Sequence, residues 1–117
     1  MNVCGYYQRQ QPMQEQQIKQ FKSRLQIADE YANEVAELFQ LNKEDILKMS
    51  RGSPRRCAAR FCLYEKLRQR NWSYPMIGQT LGRDHQSIFN GIRRIKDART
   101  NPNNRYYAYL KEAGLRS

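Results

Sequence analysis

The sequence predicts an all-α fold: one compact helical domain built around a helix-turn-helix and preceded by a long N-terminal helix. Three observations lead there. Apolar residues recur at helical spacing in segment after segment, and no stretch alternates as a strand does. Residues 78–95, GQTLGRDHQSIFNGIRRI, read as a short helix ending at a glycine turn, Gly82, and a second helix opening at Asp84. Charge is also unevenly placed. Residues 1–50 carry 6 basic and 7 acidic side chains, residues 51–99 carry 12 and 3, and residues 100–117 carry 3 and 1. The net charge of +10 therefore collects on the segment that holds the helix-turn-helix signal, as a phosphate-binding surface requires.

Residues 1–14, MNVCGYYQRQQPMQ, are Gln-rich and aperiodic, and read as a flexible arm before a single domain over 15–117. A helix is expected over about 15–40, because Ile18, Phe21, Leu25, Ala28, Ala32, Val35 and Phe39 form one apolar stripe. The stripe either packs on the core throughout, or its first part, about 15–27, projects to a second copy or another protein. Asn42 is placed to cap a short helix over 43–48. Residues 50–56, from Ser50 to Arg56, read as a basic loop of turn formers. A helix over about 55–70 comes next, then a break at Asn71-Trp72-Ser73. Ser73 and Pro75 suit the start of a helix over 74–81 that buries Ile77 and Leu81. The last strong helix is expected over 84–99, and the helix-turn-helix over about 74–99. Asn101-Pro102-Asn103-Asn104 separates it from a short amphipathic helix over about 105–113.

The helix after Asp84 carries the expected chemistry. Ile88, Ile92 and Ile95 share its buried face, with Phe89 at the edge. Gln86, Asn90, Arg93 and Asp97 lie opposite, flanked by His85 and Ser87. Gln and Asn pair with adenine edges and Arg with guanine, and Ser87 is suited to a phosphate near a helix N-terminus. Asp84 and Ser87 serve equally well as caps or as contacts. Arg55, Arg56 and Arg60 supply positive charge beside this helix, and Arg55 on a basic loop is placed to enter an A·T-rich minor groove.

The pattern extends further. Val35-Ala36-Glu37-Leu38-Phe39 and Glu44-Asp45-Ile46-Leu47, the basic residues of 50–56, Ser73, Pro75, Ile77 and Gly78, then Arg83-Asp84-His85, Ile88 and Arg93-Arg94-Ile95 occur in that order. Over about residues 28–98 they resemble the C-terminal DNA-binding domain of DnaA, the bacterial replication initiator. The resemblance implies a Trp-repressor-like fold and a short asymmetric A·T-containing target. It implies major-groove and phosphate contacts from Arg83, Asp84, His85, Gln86 and Ser87, and a minor-groove role for Arg55; Arg94, in the stretch that continues the match, stands with Asn90 and Arg93 among the candidate DNA contacts. The chain departs from the family in three places. Gln86-Ser87 stands where two threonines are common, Gly82 stands alone where Gly-Gly is common, and the 68–73 loop is longer.

The expected function is sequence-specific binding of double-stranded DNA, as a transcriptional regulator in a bacterial or phage setting, in the cytoplasm at the nucleoid. The alternatives are a replication modulator competing for DnaA-box-like sites, and a protein-binding adaptor tethered to DNA. No phosphate-binding Gly-x-x-x-x-Gly-Lys-[Ser/Thr] loop occurs, so no ATPase activity is expected of these 117 residues. One histidine and no suitable carboxylate cluster argue against an enzyme, a metal or a cofactor. Cys4, Cys57 and Cys62 form no Cys-x-x-Cys pair, and no apolar run is long enough for a membrane.

Overall fold

The computed structural model describes residues 23–48 and 52–114. Among these residues there are six helices and no strand: α1 (Arg24–Phe39), α2 (Lys43–Leu47), α3 (Pro54–Gln69), α4 (Tyr74–Leu81), α5 (His85–Ala98) and α6 (Tyr107–Glu112). The domain is all-α, as expected. No described helix is long and apolar enough to cross a membrane.

Within the expected helix over 15–40, the described helix begins at Arg24. Ser23 has extended backbone, and its Oγ accepts from the Gln26 N–H at 3.1 Å while Gln26 Oε1 accepts from the Ser23 N–H at 3.0 Å. This reciprocal cap satisfies donors at the first turn and starts the helix there. The stripe is buried from Ala28 to Phe39, but Leu25 is 68% exposed. Residues 15–22, which carry most of the expected protein-pairing segment, lie outside the described residues, as does the expected arm over 1–14.

α3 is the central post. Residues 58–60 and 62–65 are all buried and Phe61 is half-buried, so this stretch of the helix is covered on nearly every side. It packs against α1 on one side and α5 on the other, and touches α2, α4 and α6. The start of α3 corrects the expected basic loop. Ser53 is the N-cap, its Oγ accepting from the Arg56 N–H at 3.3 Å, and Pro54 occupies the first turn. A fixed φ and a missing N–H suit proline to that position. Arg55 and Arg56 therefore stand on the first turn of a helix. Leu63, Leu67, Ile77, Ile88, Ile95 and Leu110 are fully buried, each burial contributing about 1.5–3 kcal/mol.

α4 and α5 are joined by a tight turn over 82–84. Ser73 caps α4 through the Met76 N–H at 3.2 Å. Gly82 ends it with φ +68°, and the Arg83 N–H donates to the Gly78 carbonyl at 2.8 Å. That closure brings the chain back onto α4 so closely that a Cβ at Gly78 would collide with the Arg83 carbonyl oxygen. Gly82 has open space around it and is needed only for its left-handed backbone. A second close approach lies at Gly91, where a Cβ would fall 2.6 Å from Cδ1 of Phe61 on α3. Two glycines thus let α5 lie close to both of its neighbours.

Gly78→Ala is expected to cost about 1–3 kcal/mol in urea unfolding, because backbone rather than a side chain must move. Gly82→Asn should cost less, since asparagine tolerates left-handed backbone. A Gly78→Ala loss no larger than that of Gly82→Asn contradicts the close approach.

Candidate nucleic-acid interface

α5 starts at an extended Asp84 and buries Ile88, Ile92, Ile95, Gly91 and Ala98. That choice of inward residues decides the rest. At 3.6 residues per turn, Gln86, Asn90 and Arg93 fall on the opposite side. His85, Gln86, Ser87, Arg93 and Arg94 are exposed, and Asn90 is half-buried. Asp84 is exposed and holds the cap position by its backbone alone: its carboxylate makes no capping bond. Of the two uses open to the Asp84 side chain, cap or contact, the cap bond is not formed.

One flank of α5 carries a ladder of rings and cations. The Arg68 guanidinium lies 4.7 Å from the Tyr74 ring centroid, and the Tyr74 and Phe89 rings meet edge-on at 5.4 Å. The Arg93 guanidinium lies 5.9 Å from the Phe89 ring. Phe89 remains 40% exposed, so it stands at the edge of the outward face while steadying Arg93.

The other flank faces α3 across a groove of about 510 Å³. Ser87, Asn90 and Arg94 of α5 line it with Arg83, Arg105, Gly52 and Pro54, over a floor that includes Phe61 and Tyr64. No Asp or Glu is among its described lining residues. Burial pushes the Tyr64 phenol up, and the positive charges of Arg83 and Arg60 oppose that rise. Arg83 is only partly committed: its Nη2 donates to the Lys48 carbonyl, which ties the turn before α5 to the end of α2. A guanidinium has five N–H donors, so others remain for a ligand.

The arginines of α3 divide. Arg60 also lines the groove, yet it is buried and bonded to the protein's own carbonyls. Its Nε donates to the Ile46 carbonyl at 2.9 Å and its Nη2 to the Asp45 carbonyl at 3.1 Å. It thereby satisfies carbonyls at the C-terminal end of α2 that have no partner within that helix. Arg56 pairs with Asp45 at 3.4 Å, a half-buried contact. Arg55 lines a separate shallow cleft with Phe39, Gln40, Tyr109 and Glu112. That cleft and the α5 groove share no lining residue.

Arg105 belongs to this surface, although no local pattern in the sequence marks it. It lies beyond the Asn-Pro-Asn-Asn break, and only the fold brings it back beside Arg94. The described residues contain no group of three His, Cys, Asp or Glu side chains arranged to hold a metal ion. Cys62 is buried, which pushes its thiol up to about 12.

Arg60→Met is expected to lower stability by about 2–3 kcal/mol, because buried carbonyls lose a charged donor. The salt dependence of duplex binding should stay as in the wild type. A shallower salt slope without loss of stability would return Arg60 to the binding surface. No family model, curated protein or solved structure matches this chain.

Proposed function

We propose that this chain binds double-stranded DNA in a sequence-dependent manner, with α4 bracing and α5 lying in the major groove, and that it acts as a transcriptional regulator. The observation that carries this reading is the outward row of Gln86, Asn90 and Arg93 on α5, flanked by His85, Ser87 and Arg94. A helix set against a brace by a short turn, with amide and guanidinium side chains outward, suits the base edges of a major groove. The excess of basic residues over 51–99 suits the phosphates on either side. In this reading Gln86, Asn90 and Arg93 read bases, His85 donates or accepts at a base edge, and Ser87, Arg83 and Arg94 hold backbone.

A second reading keeps the same residues and changes the address. The resemblance of Arg83-Asp84-His85 and its surroundings to the DnaA C-terminal domain favours DnaA-box-like sites, and hence modulation of replication. Gln86-Ser87 in place of two threonines replaces methyl groups by hydrogen-bonding groups, so the preferred base opposite Gln86 should differ from the family's. Mapping occupancy across the host chromosome separates the readings: promoters for the regulator, the origin for the modulator.

Selection of preferred duplexes from a random pool tests the binding reading directly. His85→Ala is expected to cost about 1–3 kcal/mol on the selected duplex while barely changing affinity for random duplex. Equal losses on both, or no enrichment of any sequence by the wild type, would overturn base reading by α5.

A further inference from the structure

The connection after α5 is latched onto that helix by its own asparagines. Asp97 Oδ2 accepts from Asn104 Nδ2 at 2.9 Å and from Asn101 Nδ2 at 3.1 Å. Asn104 Nδ2 also lies 3.3 Å from the Arg94 carbonyl, and Asn104 Oδ1 accepts from the Tyr106 N–H at 2.8 Å. The bonds from Asn104 and Asn101 hold the Asp97 carboxyl below its ordinary value, so it stays ionised within the latch. An acidic residue on an otherwise cationic helix thus has a structural use.

The latch sets the positions of Arg105 and Tyr106. Tyr106 is buried, and its ring meets Phe61 edge-on at 5.5 Å. Arg105 is exposed, its guanidinium 5.4 Å from the Tyr106 ring, and it lines the α3–α5 groove with Arg83 and Arg94. Neither Arg94 nor Arg105 makes an ion pair among the described residues. Arginines that line one groove without a carboxylate favour an anion with several acceptor oxygens, and phosphate matches the guanidinium fork geometry. The groove shares Ser87 and Asn90 with the outward side of α5, so the two surfaces are continuous.

We propose that the α3–α5 groove holds backbone phosphates of one DNA strand, with Arg105 as a phosphate ligand supplied from outside the α4–α5 pair and Asn104 and Asp97 as its positioning residues. This inference rests on the duplex reading of α5, but it concerns a contact that carries no base preference.

Fluorescence anisotropy of the full chain on the selected duplex and on a scrambled duplex, across a salt series, tests it. Arg105→Ala is expected to weaken binding to both by the same factor, about threefold to tenfold, and to make the log–log salt slope shallower by about 0.9. Base preference should be unchanged. Asn104→Ala should shift the slope in the same direction through loss of the latch. Arg105→Gln, which keeps the stem, should behave as Arg105→Ala and guards against a folding effect, with melting temperatures read alongside. An unchanged slope in folded Arg105→Ala and Arg105→Gln overturns the inference and leaves base reading by α5 untouched. A wild type that binds scrambled and selected duplexes alike, yet loses slope on Arg105→Ala, keeps the phosphate site and overturns base reading. Inorganic phosphate is the last probe. If it raises the melting temperature of the wild type but not of Arg105→Ala, while duplex binding is the same in both, the groove is a free-anion site and the DNA assignment fails.

Discussion

The position of α5 is set by two contacts that leave no room for a side chain. Gly78 sits against the carbonyl of Arg83, and Gly91 sits against the Phe61 ring. The first fixes α5 against α4, the second against α3. Close-packed interiors transmit such constraints rather than absorb them. Once α5 is seated on both sides, the isoleucines at 88, 92 and 95 have one direction to face, and Gln86, Asn90 and Arg93 have the other. The surface that we read as a DNA contact is the remainder of a packing solution.

Buried charge on α3 ties the frame to that surface. Arg60 holds the carbonyl end of α2, and Glu65 pairs with Arg99 at the end of α5. A charge taken from water is costly unless it is paired or hydrogen-bonded: Arg60 is held by two carbonyls, and Glu65 is paired with Arg99. Through α3 the acidic N-terminal part of the domain and the basic C-terminal part are joined by directional bonds as well as by apolar burial. Arg83 adds a third tie, from the turn before α5 to the end of α2. The orientation of α5 is therefore supported at its start, along its buried side and at its end.

Much of this fold is legible in the sequence, and the places where it is not have physical causes. α4 and α5 are readable to within a residue because Ser73, Pro75, Gly82 and Asp84 are strong local signals, and their apolar residues repeat cleanly. The start of α3 is ambiguous because Ser53-Pro54 reads both as a turn and as a helix start, and only the backbone distinguishes them. Ser23 is hidden because the apolar stripe runs through it, although its capping partner stands three residues on, at Gln26. Arg60 looks from sequence like any other cation on a basic helix. Its burial depends on where α2 ends, a tertiary fact. Arg105 and the Asn101–Asn104 latch are invisible for the same reason: local pattern marks a break, and the fold decides what the break does.

The most direct measurement is an amide NMR titration of the full chain with the duplex it selects from a random pool. If α5 reads bases, the largest shifts and the strongest protection from exchange fall on His85, Gln86, Asn90 and Arg93, and lesser ones on the groove side at Ser87 and Arg94. Perturbations confined to α1 and α2, with α5 amides unmoved at saturation, would contradict the assignment of this surface.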